Sequence, residues 1–95
     1  MIRSWKNSAT RKVWEGEHPN RFSGLDMEGA VDLLLALNAT KSLADISPFS
    51  SVWLHKLKGE RRGQWAMTVN GRWRICFTFD RGDAHDVEIV DYHKG

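Results

Sequence analysis

The feature that most limits what this chain can fold into is a change of hydrophobic period in its second half. Trp65, Met67 and Val69 alternate with Gln64, Ala66, Thr68 and Asn70. Trp73, Ile75, Phe77 and Phe79 then alternate with Arg72, Arg74, Cys76, Thr78 and Asp80. A period of two is the side-chain repeat of a strand with one dry face. Asn70-Gly71 divides the two runs and is a strong hairpin signal, because both residues tolerate positive φ. Arg81-Gly82-Asp83 marks the next turn, before a strand near Ala84 to Val90. Glu60 to Gly63 joins the strand expected at Val52 to Leu57 to the one starting at Gln64. The result is a meander of four antiparallel strands. One face needs an apolar cover, and the other, polar and carrying Arg72 and Arg74, is left as an open platform for a ligand.

The first half of the chain supplies the cover. Met27, Ala30, Val31, Leu34, Leu35 and Leu37 recur at helical spacing, with Asp26, Glu28 and Asp32 on the other side near a helix start and Asn38 as the expected stop. Ser8 is the expected cap of a shorter helix through Glu15 that stops at Gly16. Met1 to Trp5 is a candidate first strand, Glu17 to Asn20 a loop around Pro19, and Lys41 to Phe49, with Pro48, a connection holding one helical turn. With 95 residues, five Trp and four Phe, the chain has the length and the apolar bulk for a single core. The expected architecture is α+β: one domain over residues 1–95, with two N-terminal helices packed on one face of a four- or five-stranded, mainly antiparallel sheet.

Charge is nearly balanced, 14 basic against 12 acidic residues, so distribution matters more than the sum. Between residues 55 and 74, Lys56, Lys58, Arg61, Arg62, Arg72 and Arg74 face only Glu60, a block able to hold a polyanion. Asp80, Asp83, Asp86, Glu88 and Asp91 follow against Arg81, so opposite charge for part of that block is available within the fold. The lone Cys76 has no internal disulfide mate, which favours a reducing compartment, the cytoplasm. The longest apolar run, Leu33 to Leu37, is too short to span a bilayer, and no signal region is expected.

Candidate chemistry gathers in three stretches. Arg74 lies in a central strand, where a cation needs a partner such as Asp80, Asp86 or Glu88, or else a ligand. Lys58, Arg61 and Arg62 lie in or beside a turn, where solvated charge is the plain alternative. His55 alternates with Trp53 and Leu57 and has a buried imidazole as its own plain alternative. Asp91-Tyr92-His93 places three polar functional groups directly after a strand. His18 and His85 read as surface residues. No HxH, HxxxH or CxxC spacing is present, nor a glycine-rich phosphate loop, so no metal or cofactor is expected.

In order and spacing, Leu54-His55-Lys56-Leu57-Lys58-Gly59, Arg61-Arg62-Gly63-Gln64-Trp65, Val69-Asn70-Gly71-Arg72-Trp73-Arg74-Ile75-Cys76-Phe77, Gly82-Asp83-Ala84 and Asp91-Tyr92-His93 resemble HigB toxins of the RelE/ParE superfamily. The resemblance implies a microbial-ribonuclease-like fold and a toxin that cleaves messenger RNA on the ribosome, inhibiting translation and growth. It also implies a HigA-like helix-turn-helix antitoxin as partner, with operator DNA reached only through that antitoxin and no membrane involved. By position it assigns His55, Asp91, Tyr92 and His93 to catalysis and Lys58 and Arg74 to phosphate, with Arg61, Arg62 and Arg72 as further RNA or ribosome contacts. Lys56, where proline is common, and Ala66, where a small hydroxyl residue is frequent, depart from the pattern. The imidazoles suit proton transfer near neutral pH, one as base on the 2′-hydroxyl and one as acid to the 5′-oxygen, in either assignment. A ParE-like inhibitor of gyrase that acts by binding, and a non-catalytic nucleic-acid-binding module, are the competing readings.

Overall fold

The computed structural model describes residues 1–45 and 54–91. Helix α1 spans Ser8–Trp14 and helix α2 Met27–Ala39. Asn7, rather than Ser8, caps α1: its Oδ1 accepts from the backbone N–H of Thr10 at 2.9 Å and from the Thr10 hydroxyl at 2.8 Å. Asp26 caps α2 by accepting from Gly29 N–H. Both caps satisfy donors that the first helical turn leaves unpaired. Gly16, with φ +93°, follows α1 as expected. Helix α2 runs through Asn38 and ends at Ala39, and the Asn38 side chain accepts from the backbone N–H of Ile2 at 3.0 Å, tying the helix end to the N-terminal segment.

Four strands form one antiparallel sheet in the order of the chain: β1 His55–Lys56, β2 Trp65–Asn70, β3 Trp73–Asp80 and β4 Asp83–Asp91. Strand β1 is shorter than expected. Of the connection predicted from Lys41 to Phe49, residues 41–45 are described and hold the expected short helical turn at Leu43–Asp45; the part around Pro48, and the first residues of the strand predicted at Val52 and Trp53, lie outside the described residues. The β2–β3 turn forms one residue later than the Asn-Gly signal suggests, since Asn70 pairs with Trp73 and the loop is Gly71-Arg72. A tertiary tie accompanies this shift. Asn70 Oδ1 accepts from Asp26 N–H at 2.8 Å and its Nδ2 donates to Gly24 O at 3.0 Å, so the hairpin end is tied to the start of α2. In the β3–β4 turn Arg81 and Gly82 both have positive φ, the combination that matches the twist of the flanking strands.

Both helices cover one face of the sheet. Val13, Leu34, Leu37, Met67, Ile75, Phe77 and Val87 are almost wholly buried between the layers, each contributing about 1.5–3 kcal/mol by leaving water. Leu35, included in the expected apolar stripe, instead points outward and is exposed.

Residues 2–6 run beside β4 in parallel, joined by bridges at Ile2–Ala84 and Trp5–Val87. The expected first strand therefore exists only as two isolated bridges, yet it covers the edge of β4: Arg3 N–H donates to Ala84 O, Val87 N–H to Ser4 O and Lys6 N–H to Val87 O. Further along, the buried hydroxyl of Thr10 accepts from Ile89 N–H at 3.0 Å. An edge occupied in this way is poorly available to another strand.

Strand β4 contains a bulge. Cys76 pairs with Glu88 and Thr78 with His85, so Asp86 and Val87 together oppose Phe77. Asp86 takes φ +52° and its N–H donates to Ser4 Oγ at 2.8 Å. The extra residue resets the alternation. Ala84 faces the helices before the bulge and Val87 and Ile89 face them after it, while Glu88 and Val90 turn to the opposite side.

Candidate functional site

The face of the sheet away from the helices follows from the register. His55 stands opposite Ala66, Ala66 opposite Cys76, and Cys76 opposite Glu88, one row across all four strands. The neighbouring row holds Thr68, Arg74 and Val90. This face is less polar than expected: Leu57, Ala66 and Cys76 are buried and pack with Val90 into a small second apolar cluster. Burial pushes the Cys76 thiol above its ordinary range, Arg61 and Arg74 pull it down, and Glu88 pushes it up. Three charged groups therefore stand near this one sulfur.

Arg74 is half-buried, and the carboxylate partners considered for it in sequence do not hold it. Its Nη1 donates to Gly71 O at 2.7 Å and to Trp73 O at 3.1 Å, and its guanidinium has no ion pair among the described residues. Glu88 is engaged by Arg61 instead, at 3.3 Å. Arg61 also donates to Gln64 Oε1 at 3.1 Å, so this turn cation is held by neighbours. Lys58 and Arg62 flank the short turn Gly59–Arg61, are exposed, and carry no ion pair among the described residues. Lys56 points the other way, its ammonium 5.9 Å from the centre of the Trp65 ring.

At the opposite end of the sheet Arg72 meets Asp91 at 3.6 Å, both side chains well exposed. Asp91 pairs with Trp73 and so belongs to the helix-side register, not to the row of Arg74. A hollow of about 170 Å³ opens there, with Arg21, Trp73 and Asp91 on its wall. Tyr92 and His93 lie outside the described residues.

The predicted groups thus form a strip rather than one cluster: Lys58 and Arg62 at one end, His55, Arg61 and Arg74 along the face, Arg72 and Asp91 at the other end. Six residues of β2 run the length between, roughly 20 Å at the usual rise of a strand. A strip of cations crossed by an imidazole suits an extended anionic chain better than a small molecule. A groove of about 420 Å³ between the helices, lined by residues such as Val13, Met27 and Val31, includes none of the predicted residues. Sequence reasoning offered Glu88 as a partner for Arg74 and missed that it stands on this face to hold Arg61. The signal was the phase change from Ala84 to Val87 and Ile89, which marks the bulge.

A family model described as the RelE-like toxin of type II toxin-antitoxin system HigB matches residues 5–93. The chain is 32% identical over 93 residues to the endoribonuclease HigB of Proteus vulgaris, covering 98% of this chain and 100% of that protein. Among solved structures, YafQ from E. coli strain BL21(DE3) superposes with a TM-score of 0.57 at 18% identity, over 90% of this chain and 86% of that one. A histidine-to-glutamine mutant of E. coli YafQ gives 0.56 at 16% identity with the same coverage. At that identity the two structures speak for the fold.

Proposed function

Because the chain belongs to the HigB-like family of RelE-like type II toxins, we propose that it is an endoribonuclease that cleaves messenger RNA on the ribosome and so arrests translation and growth. The observation that carries this reading is the placement of His55 and Arg74 on the face of the sheet away from the helices, on a strip whose ends supply Lys58, Arg62 and Arg72. In the proposed reaction one of His55 and His93 takes the proton of the 2′-hydroxyl. That oxygen attacks the adjacent phosphorus, and the other histidine gives a proton to the departing 5′-oxygen. Lys58 and Arg74 stabilise the charge that builds on the phosphoryl oxygens. Tyr92 holds a base by stacking or hydrogen bonding, and Asp91 orients His93. Products are a 2′,3′-cyclic phosphate and a 5′-hydroxyl.

The functional partner in this reading is a HigA-like helix-turn-helix antitoxin, which links the toxin to operator DNA, and the setting is the cytoplasm. Brief induction followed by mapping of 5′-hydroxyl ends tests the activity. New ends within translated messages are expected, and His55→Ala or His93→Ala should lower single-turnover cleavage by roughly a hundredfold or more. Folded variants that cleave at the wild-type rate would remove those histidines from the chemistry. Inhibition of gyrase on supercoiled DNA without new RNA ends would replace the whole reading with the gyrase-poisoning one.

A further inference from the structure

The Arg61–Glu88 pair crosses the open face and is not used by the chemistry above. Arg61 sits in the turn between β1 and β2, while Glu88 sits on β4, two strands beyond. Beside Glu88 in its row, Cys76 and Ala66 are buried and short, so neither presents a polar group that competes for the Arg61 guanidinium. Arg61 Nη1 lies 3.3 Å from Glu88 Oε1 and 3.1 Å from Gln64 Oε1. The two side chains are 30% and 20% exposed, a setting in which salt screens an ion pair less than at an open surface. Glu88 reaches this face because of the bulge at Asp86; continued alternation from Ala84 would have turned it toward the helices.

Leu57 anchors the start of the turn by packing with Ala66, Cys76 and Val90, but beyond it the turn is held by few contacts. Its backbone bonds are local: Arg62 N–H to Gly59 O, Gln64 N–H to Arg61 O and Leu57 N–H to Gln64 O. Among the described residues the Arg61–Glu88 pair is the polar side-chain tie between this turn and β4. The turn carries Lys58 and Arg62, exposed cations that no carboxylate among the described residues answers.

We propose that Glu88 is a positioning residue: by holding Arg61 it fixes the turn so that Lys58 and Arg62 stand over the open face to receive backbone phosphates. The inference rests on the reading of this face as the RNA site. Arg61 then acts through its protein partner, and its charge is answered by Glu88 rather than by RNA.

The test uses the intact protein and four variants: Glu88→Gln, Arg61→Gln, their combination, and the exchanged pair Arg61→Glu/Glu88→Arg. Amide hydrogen exchange at Arg62 and Gln64 reads the turn, and cleavage of a message translated in a cell-free extract reads the site. Each single variant should speed exchange at those amides while leaving the core helices protected. Each should also raise the toxin concentration for half-maximal cleavage roughly tenfold, more than it lowers the saturated rate. The combination should be no worse than either single change, and the exchanged pair should recover most of the loss. Unchanged exchange in the turn overturns the proposal, as does a uniform loss of protection across the whole fold. Impaired cleavage for Arg61→Gln with normal cleavage for Glu88→Gln overturns it too, making Arg61 a direct RNA contact. If the wild-type protein leaves the message intact, the RNA reading falls and the site half of the proposal with it, while the exchange data still decide whether Glu88 holds the turn.

Discussion

At Thr10 one hydroxyl joins the helical layer to the sheet. It donates to Asn7 and accepts from the N–H of Ile89, and it is fully buried. Thr10→Val keeps the shape and removes both bonds, leaving an edge-strand donor without water or partner. The expected cost is about 1–3 kcal/mol, read as a lower midpoint in thermal unfolding. Arg74 makes a different case, because two backbone carbonyls orient it while no carboxylate among the described residues neutralises it. Arg74→Ala should reduce the saturated cleavage rate more than it weakens association with ribosomes, since charge develops on the phosphoryl oxygens mainly in the transition state. Weaker association with an unchanged rate would assign it to docking. The sequence identified Arg74 as a cation in an awkward place. Its partners are carbonyls from its own hairpin, a choice made by the turn geometry and not by any residue identity.

Among the elements, β4 depends most on its surroundings. Its outer edge is met by residues 2–6 and by Thr10, and its inner alternation is reset by the bulge. Asp86→Val puts a β-branched side chain at φ +52° and should cost about 1–3 kcal/mol by thermal unfolding. The N-terminal segment adds an electrostatic tie: Asp83 lies 3.2 Å from Arg3 Nε and 3.4 Å from the amino group of Met1. Desolvation works to raise the Asp83 pKa, but hydrogen bonds and charge from Arg3 and the amino group outweigh it and hold the carboxyl below its ordinary value of 3.8. A lowered pKa means stabilisation that is present above the unfolded value and lost as pH falls through the folded one. Asp83→Asn should therefore flatten part of the stability loss below about pH 4, measured by denaturant unfolding across pH. The hairpins were legible because turn residues and period two are local signals. The parallel edge contacts were not, because Ile2 and Trp5 meet Ala84 and Val87, at the far end of the chain, and nothing local announces a parallel neighbour.

For the molecule as a whole, the two layers separate two kinds of surface. Arg61 and Arg74 stand on the side of the sheet away from the helices, with Lys58 and Arg62 exposed beside the turn at its end, so the proposed binding of RNA there should weaken as salt rises. Lys58→Ala and Arg62→Ala should each lower the slope of log affinity against log salt by about one if they meet phosphates. A slope that stays unchanged would make both residues ordinary solvated charge. By itself the sequence determined the α+β architecture, the strand meander and the basic block, because hydrophobic period, turn chemistry and charge are written in adjacent residues. Only tertiary structure decided that Asn7 caps α1, that Asn70 ties the hairpin to α2, that Asp91 falls on the helix-side register, and that Arg61 is held by Glu88. Each of these depends on which partner the packed layers bring within reach. In β4 a single extra residue was enough to change the face on which Glu88 stands.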